Sequence, residues 1–249
     1  NVQGNRTVGI WEAPSDSFLS SMESGLKFSM PRKHGYDVVN AIKAMELGDV
    51  DLLFCLGGNF ISATPQTTRT SKAVQNVGMT VHVSTKLNRS HLITGDESLI
   101  LPCLGRTELD VQNGTGQFVT VENSMGVVHM SRGRLNPASN NLRSEPWIVA
   151  KLASETIDDS KIPWLKLVDD YDEIRNLIEK SIPGFEQYNQ RVRSPNGFEL
   201  PNPPRDKLEF ATFDGKAQFS INDAPNISVP DGHFVMMTIR SHDQYNTTI

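Results

Sequence analysis

The sequence predicts an α/β fold around a parallel sheet, and three observations lead there. Helix-like and strand-like segments alternate through residues 36–101, the order of a parallel α/β unit. The strand-like runs are short and apolar, as in strands buried on both faces. Each run then empties into a loop dense in polar groups, which is where open α/β sheets build ligand sites.

The elements follow in order. Residues 36–47 read as a helix, because Val38, Val39, Ile42 and Met45 share one face. Asp37 suits its N-terminus and Gly48 its C-terminal stop. Residues 51–56 are a strand ending in Gly57-Gly58-Asn59, and 65–77 a weaker helix with Pro65 in its first turn. Residues 79–83 and 99–101 are the next strands. Residues 116–121 alternate like a strand, 144–155 read as a helix capped by Ser144, and 169–180 as an amphipathic helix. The Pro-, Asn- and Arg-rich stretch 184–205 reads as a long loop or linker, with strands at 215–221 and 234–239. No internal repeat is present.

Bulk properties narrow the function. Of 249 residues, 37% are hydrophobic and 21% charged, enough for a real core, and the net charge of −5 with no long basic run argues against nucleic acid. No apolar stretch approaches the roughly 20 residues of a membrane span, and no signal-peptide pattern opens the chain. Cys55 and Cys103 lie in or beside apolar runs, without Cys-x-x-Cys spacing. They read as reduced structural thiols of a cytoplasmic protein rather than as a disulfide or metal pair. The chain starts without Met and stops in a polar cluster, which reads as a piece of a longer protein.

The candidate site residues sit at the strand ends. Gly57, Gly58 and Asn59 form either a close-approach loop for an anion or nucleobase or a simple tight turn. Thr85, Lys86, Asn88, Arg89 and His91 put two cations, a hydroxyl, an amide and an imidazole within seven residues, against the alternative of a solvated loop. Arg106 and Glu108 follow the next strand, with Glu108 more suited to pairing or loop orientation than to acid–base work. In the tail, Arg240, Ser241, His242 and Tyr245 suit a phosphate and a heteroaromatic ring, or else form a frayed terminus. The chain has no Ser-His-Asp grouping, Walker loop, Gly-x-Gly-x-x-Gly fingerprint or metal-ligand cluster.

Taken together, Asn1-Val-Gln-Gly, Leu56-Gly-Gly-Asn59, Thr85-Lys-Leu-Asn-Arg-Ser-His91, Ile100-Leu-Pro-Cys-Leu-Gly-Arg-Thr-Glu108, Gly215-Lys-Ala-Gln-Phe219 and Thr238-Ile-Arg-Ser-His-Asp-Gln-Tyr-Asn246 resemble the molybdopterin-dependent oxidoreductases, in their formate-dehydrogenase-like alpha-subunit branch. The resemblance implies a Rossmann-like third domain over residues 1–183, a linker and strand over 184–225, and the start of a β-barrel domain over 226–249. It implies molybdenum bis(molybdopterin guanine dinucleotide) as cofactor, with any iron–sulfur cluster bound outside this stretch. Gly57, Gly58, Asn59, Thr85, Lys86, Asn88, Arg89, His91, Arg240, Ser241, His242 and Tyr245 would hold the dinucleotide. No catalytic residue or metal ligand would come from this chain. The implied partners are a small-molecule substrate, the remaining domains of a parent chain and an electron-transfer partner. The alternative function is a non-catalytic nucleotide-binding or regulatory module on the same fold.

Overall fold

The structure is a computed structural model that describes residues 2–158 and 160–237. Its elements run α1 (Val2–Thr7), α2 (Asp16–Leu26), α3 (Val38–Leu47), β1 (Leu52–Leu56), α4 (Phe60–Ala63), α5 (Thr67–Val74), β2 (Met79–Ser84), a 3-10 turn (Arg89–Leu92) and β3 (Glu97–Pro102). They continue with β4 (Val111–Gln112), β5 (Thr115–Gly116), β6 (Val119–Glu122), β7 (Val127–Ser131), α6 (Glu145–Thr156), α7 (Trp164–Asp169), α8 (Tyr171–Ser181), α9 (Tyr188–Arg191), β8 (Phe198–Glu199) and α10 (Pro203–Lys207). One compact unit runs to Leu200 and a second begins at Pro201.

The first unit is α/β, with a parallel sheet in the order β1-β2-β3. β2 is central, and its Thr80 and Val83 are wholly buried. The edge strands are not buried on both faces, as their apolar runs suggest: Leu52, Leu56, Leu99 and Ile100 are all exposed. An apolar run records that a strand avoids water on at least one side, and only packing shows whether the other side is covered. α3 begins where Asp37 accepts the Asn40 N–H (2.8 Å) and stops at Gly48, whose φ of +76° is left-handed. Ile42 and Met45 of α3 pack with Ile61 of α4, with Ala73 and Val74 of α5, and with Val77. Full burial of each larger side chain contributes about 1.5–3 kcal/mol. Pro65 precedes α5 rather than entering it. Gln66, at φ +56°, turns the chain first, and the extra turn α4 lies earlier, between β1 and Pro65.

Farther along, β6, β7 and β8 form an antiparallel sheet, and β4 pairs with β5. The stretch 184–200, expected as loop or linker, lies in the core: Phe185, Tyr188, Val192, Phe198 and Leu200 are buried together with Phe118, Val128 and Ile182. Pro195, Gly184 and Gly197 shape turns between buried anchors that are too widely spaced to show a periodicity. In the second unit, 215–221 is not a strand. Phe219 and Ile221 are exposed there, and among the described residues no strand pairs with the stretch. Residues 234–237 are not a strand either, and 238–239 lie outside the described residues. Among the described residues no helix is long and apolar enough to cross a membrane.

Candidate functional site

The loops after β1 and β2 are built as one piece. Gly57 extends the ladder by donating its N–H to Val83 O (2.8 Å). Gly57 and Gly58 then turn the chain through φ of +69° and +78°, values that disfavour any side chain. Asn88 donates from Nδ2 to Gly58 O (2.8 Å) and accepts the Ser90 N–H at Oδ1 (2.9 Å). Asn59 Oδ1 accepts from the Ser62 N–H (3.4 Å), at the start of α4, and from Ser90 Oγ (3.0 Å). Ser90 Oγ in turn accepts the Ile61 N–H (3.0 Å). Asn59 and Asn88, expected at a guanine or ribose, thus fasten loop to loop. The buried Ser90 joins them; the sequence marks it only as the small residue between two long polar ones.

His91 closes this bracket. Its Nδ1 accepts the Asn88 N–H (2.9 Å), completing a capping box around the 3-10 turn. Its ring lies against His82 of β2, with centroids 4.8 Å apart and planes tilted by 40°. Burial, and after it the adjacent His91, hold His82 below the usual imidazole range. Sequence reading passed over His82, although a polar residue in the middle of Met-Thr-Val-His-Val was the available signal. Lys86 and Arg89 stand exposed beside the bracket, and among the described residues neither makes an ion pair. Thr85 is also exposed, and its methyl group approaches Gly105 of the third loop.

That third loop follows β3. Glu108 bends it by accepting the Gly105 N–H at Oε2 and the Ala138 N–H at Oε1, each at 2.7 Å. The two backbone hydrogen bonds hold its carboxyl below the usual carboxylate range. Arg106 donates to Ser131 Oγ (3.0 Å). Beneath the loop is a cavity of about 80 Å³, lined by Gly105, Arg106, Gln117, Ser131, Ser144 and Tyr171 among others. Ser144 leaves α6 without a side-chain cap because its hydroxyl meets Tyr171 Oη (2.6 Å), which donates to Asp110 Oδ2 (2.5 Å). Burial and the Asp110 hydrogen bond push the Tyr171 phenol up, so it stays protonated. Burial, then Glu145 and Glu108, push the Cys103 thiol up to about 11, and burial raises Cys55 as well. Both are unpaired thiols rather than nucleophilic thiolates.

Among the described residues no group of three or more His, Cys, Asp or Glu could hold a metal. Arg240, Ser241, His242 and Tyr245 lie outside the described residues. Glu108 gives a direct test of the loop. Glu108→Gln loses one acceptor, and the wild-type advantage should be present at neutral pH and vanish as pH falls through the folded carboxylate's lowered value, below the usual value near 4.3. Thermal melts of both proteins from neutral to acid check this. A difference that persists unchanged into acid would mean that the charge is not what holds the loop.

No family model matches the chain. Over 250 residues it is 50% identical to a Mycobacterium tuberculosis protein named as an uncharacterized oxidoreductase, covering 100% of this chain and 32% of that protein. Over 253 residues it is 45% identical to protein YdeP of Escherichia coli K12, covering 100% of this chain and 33% of YdeP. The chain thus spans about a third of the length of the curated relatives it matches. These findings correct the resemblance drawn from the motifs. Identification with a fragment of the formate-dehydrogenase-like branch, third domain plus barrel start, does not stand, because the relatives' names go no further than oxidoreductase and no family model carries the branch. Three of the six motifs behind it are strand-end loops, and strand-end loops recur on α/β sheets of many functions.

Proposed function

We propose that this chain is the cofactor-holding part of an oxidoreductase, with a dinucleotide bound across the ends of β1, β2 and β3. The observation that carries the reading is the bracket itself: Gly58, Lys86 and Arg89 are exposed on a loop pair made rigid by Asn59, Asn88 and Ser90. A rigid, open loop whose two cations make no ion pair among the described residues suits a pyrophosphate. The relatives named as oxidoreductases supply the reaction class, and a Rossmann-like use of the sheet supplies the place.

The cofactor proposed from the sequence, molybdenum bis(molybdopterin guanine dinucleotide), fits these residues through its guanine dinucleotide arm. Lys86 and Arg89 would neutralise the pyrophosphate, and Gly57 and Gly58 would let backbone approach it. When bound, such a group supplies two-electron transfer at its metal, and the protein supplies binding and orientation. A small-molecule substrate, further domains and an electron-transfer partner belong to the same proposal. The two unpaired thiols accord with a reducing compartment.

Calorimetric titration with diguanosine 5′,5′-pyrophosphate tests the reading. Lys86→Ala with Arg89→Ala should weaken binding by roughly one to two orders of magnitude, about 1–3 kcal/mol for two charge-assisted contacts. Equal affinity in wild type and double variant, or no binding to wild type, would overturn it.

A further inference from the structure

The bracket contains more ionisable chemistry than a brace requires. His82 is 4% exposed, and the His91 ring lies tilted against it from the 3-10 turn. The Nε2 atoms of both rings are buried without a hydrogen-bond partner. His91 accepts at Nδ1 from the Asn88 N–H, so in this arrangement its proton sits on the enclosed Nε2. The buried His82 imidazole, with no carboxylate recorded against it, is a poor place for a positive charge.

Among the described residues, the groups around His82 offer no compensation. Cys55 on β1 is the register partner of His82, and its thiol is neutral and pushed up by burial. Ile100 is the register partner on β3. α4 brings no charged side chain, since it reads Phe-Ile-Ser-Ala. On α5, Arg69 pairs with Glu46 of α3 (2.7 Å) and Lys72 is exposed. Arg89 on the turn itself is exposed and cationic, and so is Lys86 before it.

We infer that the His82–His91 ring pair is a proton-operated latch on the strand-end site: neutral, it holds residues 88–91 against Gly58, and protonated, it releases them and weakens ligand binding. This rests on the proposed reading of the strand ends as a dinucleotide site. A proton added to His91 must go to Nδ1, the atom that accepts from Asn88. The charged ring could then donate to Asn88 O, 3.2 Å away, but the Asn88 N–H loses its acceptor. The capping box opens at the residue whose side chain grips Gly58 O. A charge on His91 also faces the buried His82 ring. The sign follows from His82: its folded value is depressed, so the stability it contributes is present at neutral pH. That stability is drawn down as pH falls below the unfolded imidazole value near 6.5.

The test uses two readouts on the whole chain, at about pH 7.5 and about pH 5.5, on either side of the ordinary imidazole value. One is hydrogen-exchange protection of the Asn88 amide by NMR, corrected for intrinsic exchange. The other is affinity for diguanosine 5′,5′-pyrophosphate, whose two phosphates each carry one ester and one anhydride bond, so that only strongly acidic groups remain and none titrates in this range. In wild type, protection and affinity should each fall about tenfold at the lower pH, the worth of one charge-linked hydrogen bond. His91→Gln retains a neutral acceptor of the kind capping boxes use, and should bring both ratios closer to one, leaving only the pH dependence that His82 carries. Constant Asn88 protection in wild type across the range overturns the latch, whatever the ligand does. Protection that falls while the ligand binds equally at both pH values overturns the coupling to the site. Protection that falls with no binding at either pH overturns the dinucleotide reading, and the regulatory role with it.

Discussion

Arg175→Ala should destabilise the larger unit by about 3–5 kcal/mol, the cost of removing one member of a buried ionic network. Arg175 is 4% exposed, yet its guanidinium is fully engaged. Nε donates to Asn189 Oδ1 (2.6 Å), Nη1 to Phe118 O (3.1 Å), and Nη2 pairs with Asp172. The guanidinium also lies over the Phe118 ring, 3.9 Å from its centre. Removal leaves the Phe118 carbonyl without its Arg175 donor, leaves the Asn189 amide oxygen only a long contact from Arg193 (3.4 Å), and opens a cavity beside the cluster of Phe118, Phe185 and Tyr188. Asp172 keeps a partner, because Arg193 reaches both of its oxygens at 2.8 and 2.7 Å. Arg175→Lys should recover little, since an ammonium cannot match a planar fork aimed at three acceptors. Urea unfolding with a common m-value measures this. A loss under about 1 kcal/mol would mean that Arg193 or water takes over the orphaned acceptors.

Gly133→Ala should cost about 3 kcal/mol or more, at the upper end of overpacking penalties. A methyl group there would lie 1.8 Å from Glu108 O and 2.4 Å from Glu108 C. Both are backbone atoms, so no side-chain rotation relieves the clash. The segment is pinned by hydrogen bonds from the Arg134 and Leu135 N–H groups to Thr107 O (2.8 and 2.9 Å). The loop that must shift carries Glu108 and roofs the cavity beside Gly105. Gly35→Ala is the control. Its nearest neighbour would be 3.7 Å away, and a change within about 0.5 kcal/mol is expected. If thermal melts show the two variants alike, the 108–133 approach is looser than described.

Neither Arg175 nor Gly133 announces itself in the sequence. Arg175 falls within an amphipathic helix pattern as an ordinary charged residue, and it is buried only because Phe118 and Asn189 arrive from elsewhere in the chain. Gly133 looks like any loop glycine until Glu108 is laid against it. His82 and His91 likewise meet only when the 3-10 turn folds back over β2.

What the sequence determined by itself is local. The helix at α3, with Asp37 and Gly48 at its ends, follows from short-range capping and a 3.6-residue apolar period. β1, β2 and β3 follow from compact apolar runs, and the strand-end position of Gly57, Lys86 and Arg89 follows from the loops after them. Tertiary structure decided the rest. It drew residues 184–200 into the core, left the edge strands half open, and set Asn59, Asn88 and Ser90 to bracing one another. The physical reason is range. Capping and periodicity act within a turn or two of chain. Burial, close backbone approach and side-chain pairing depend on partners tens of residues away, which no local pattern encodes.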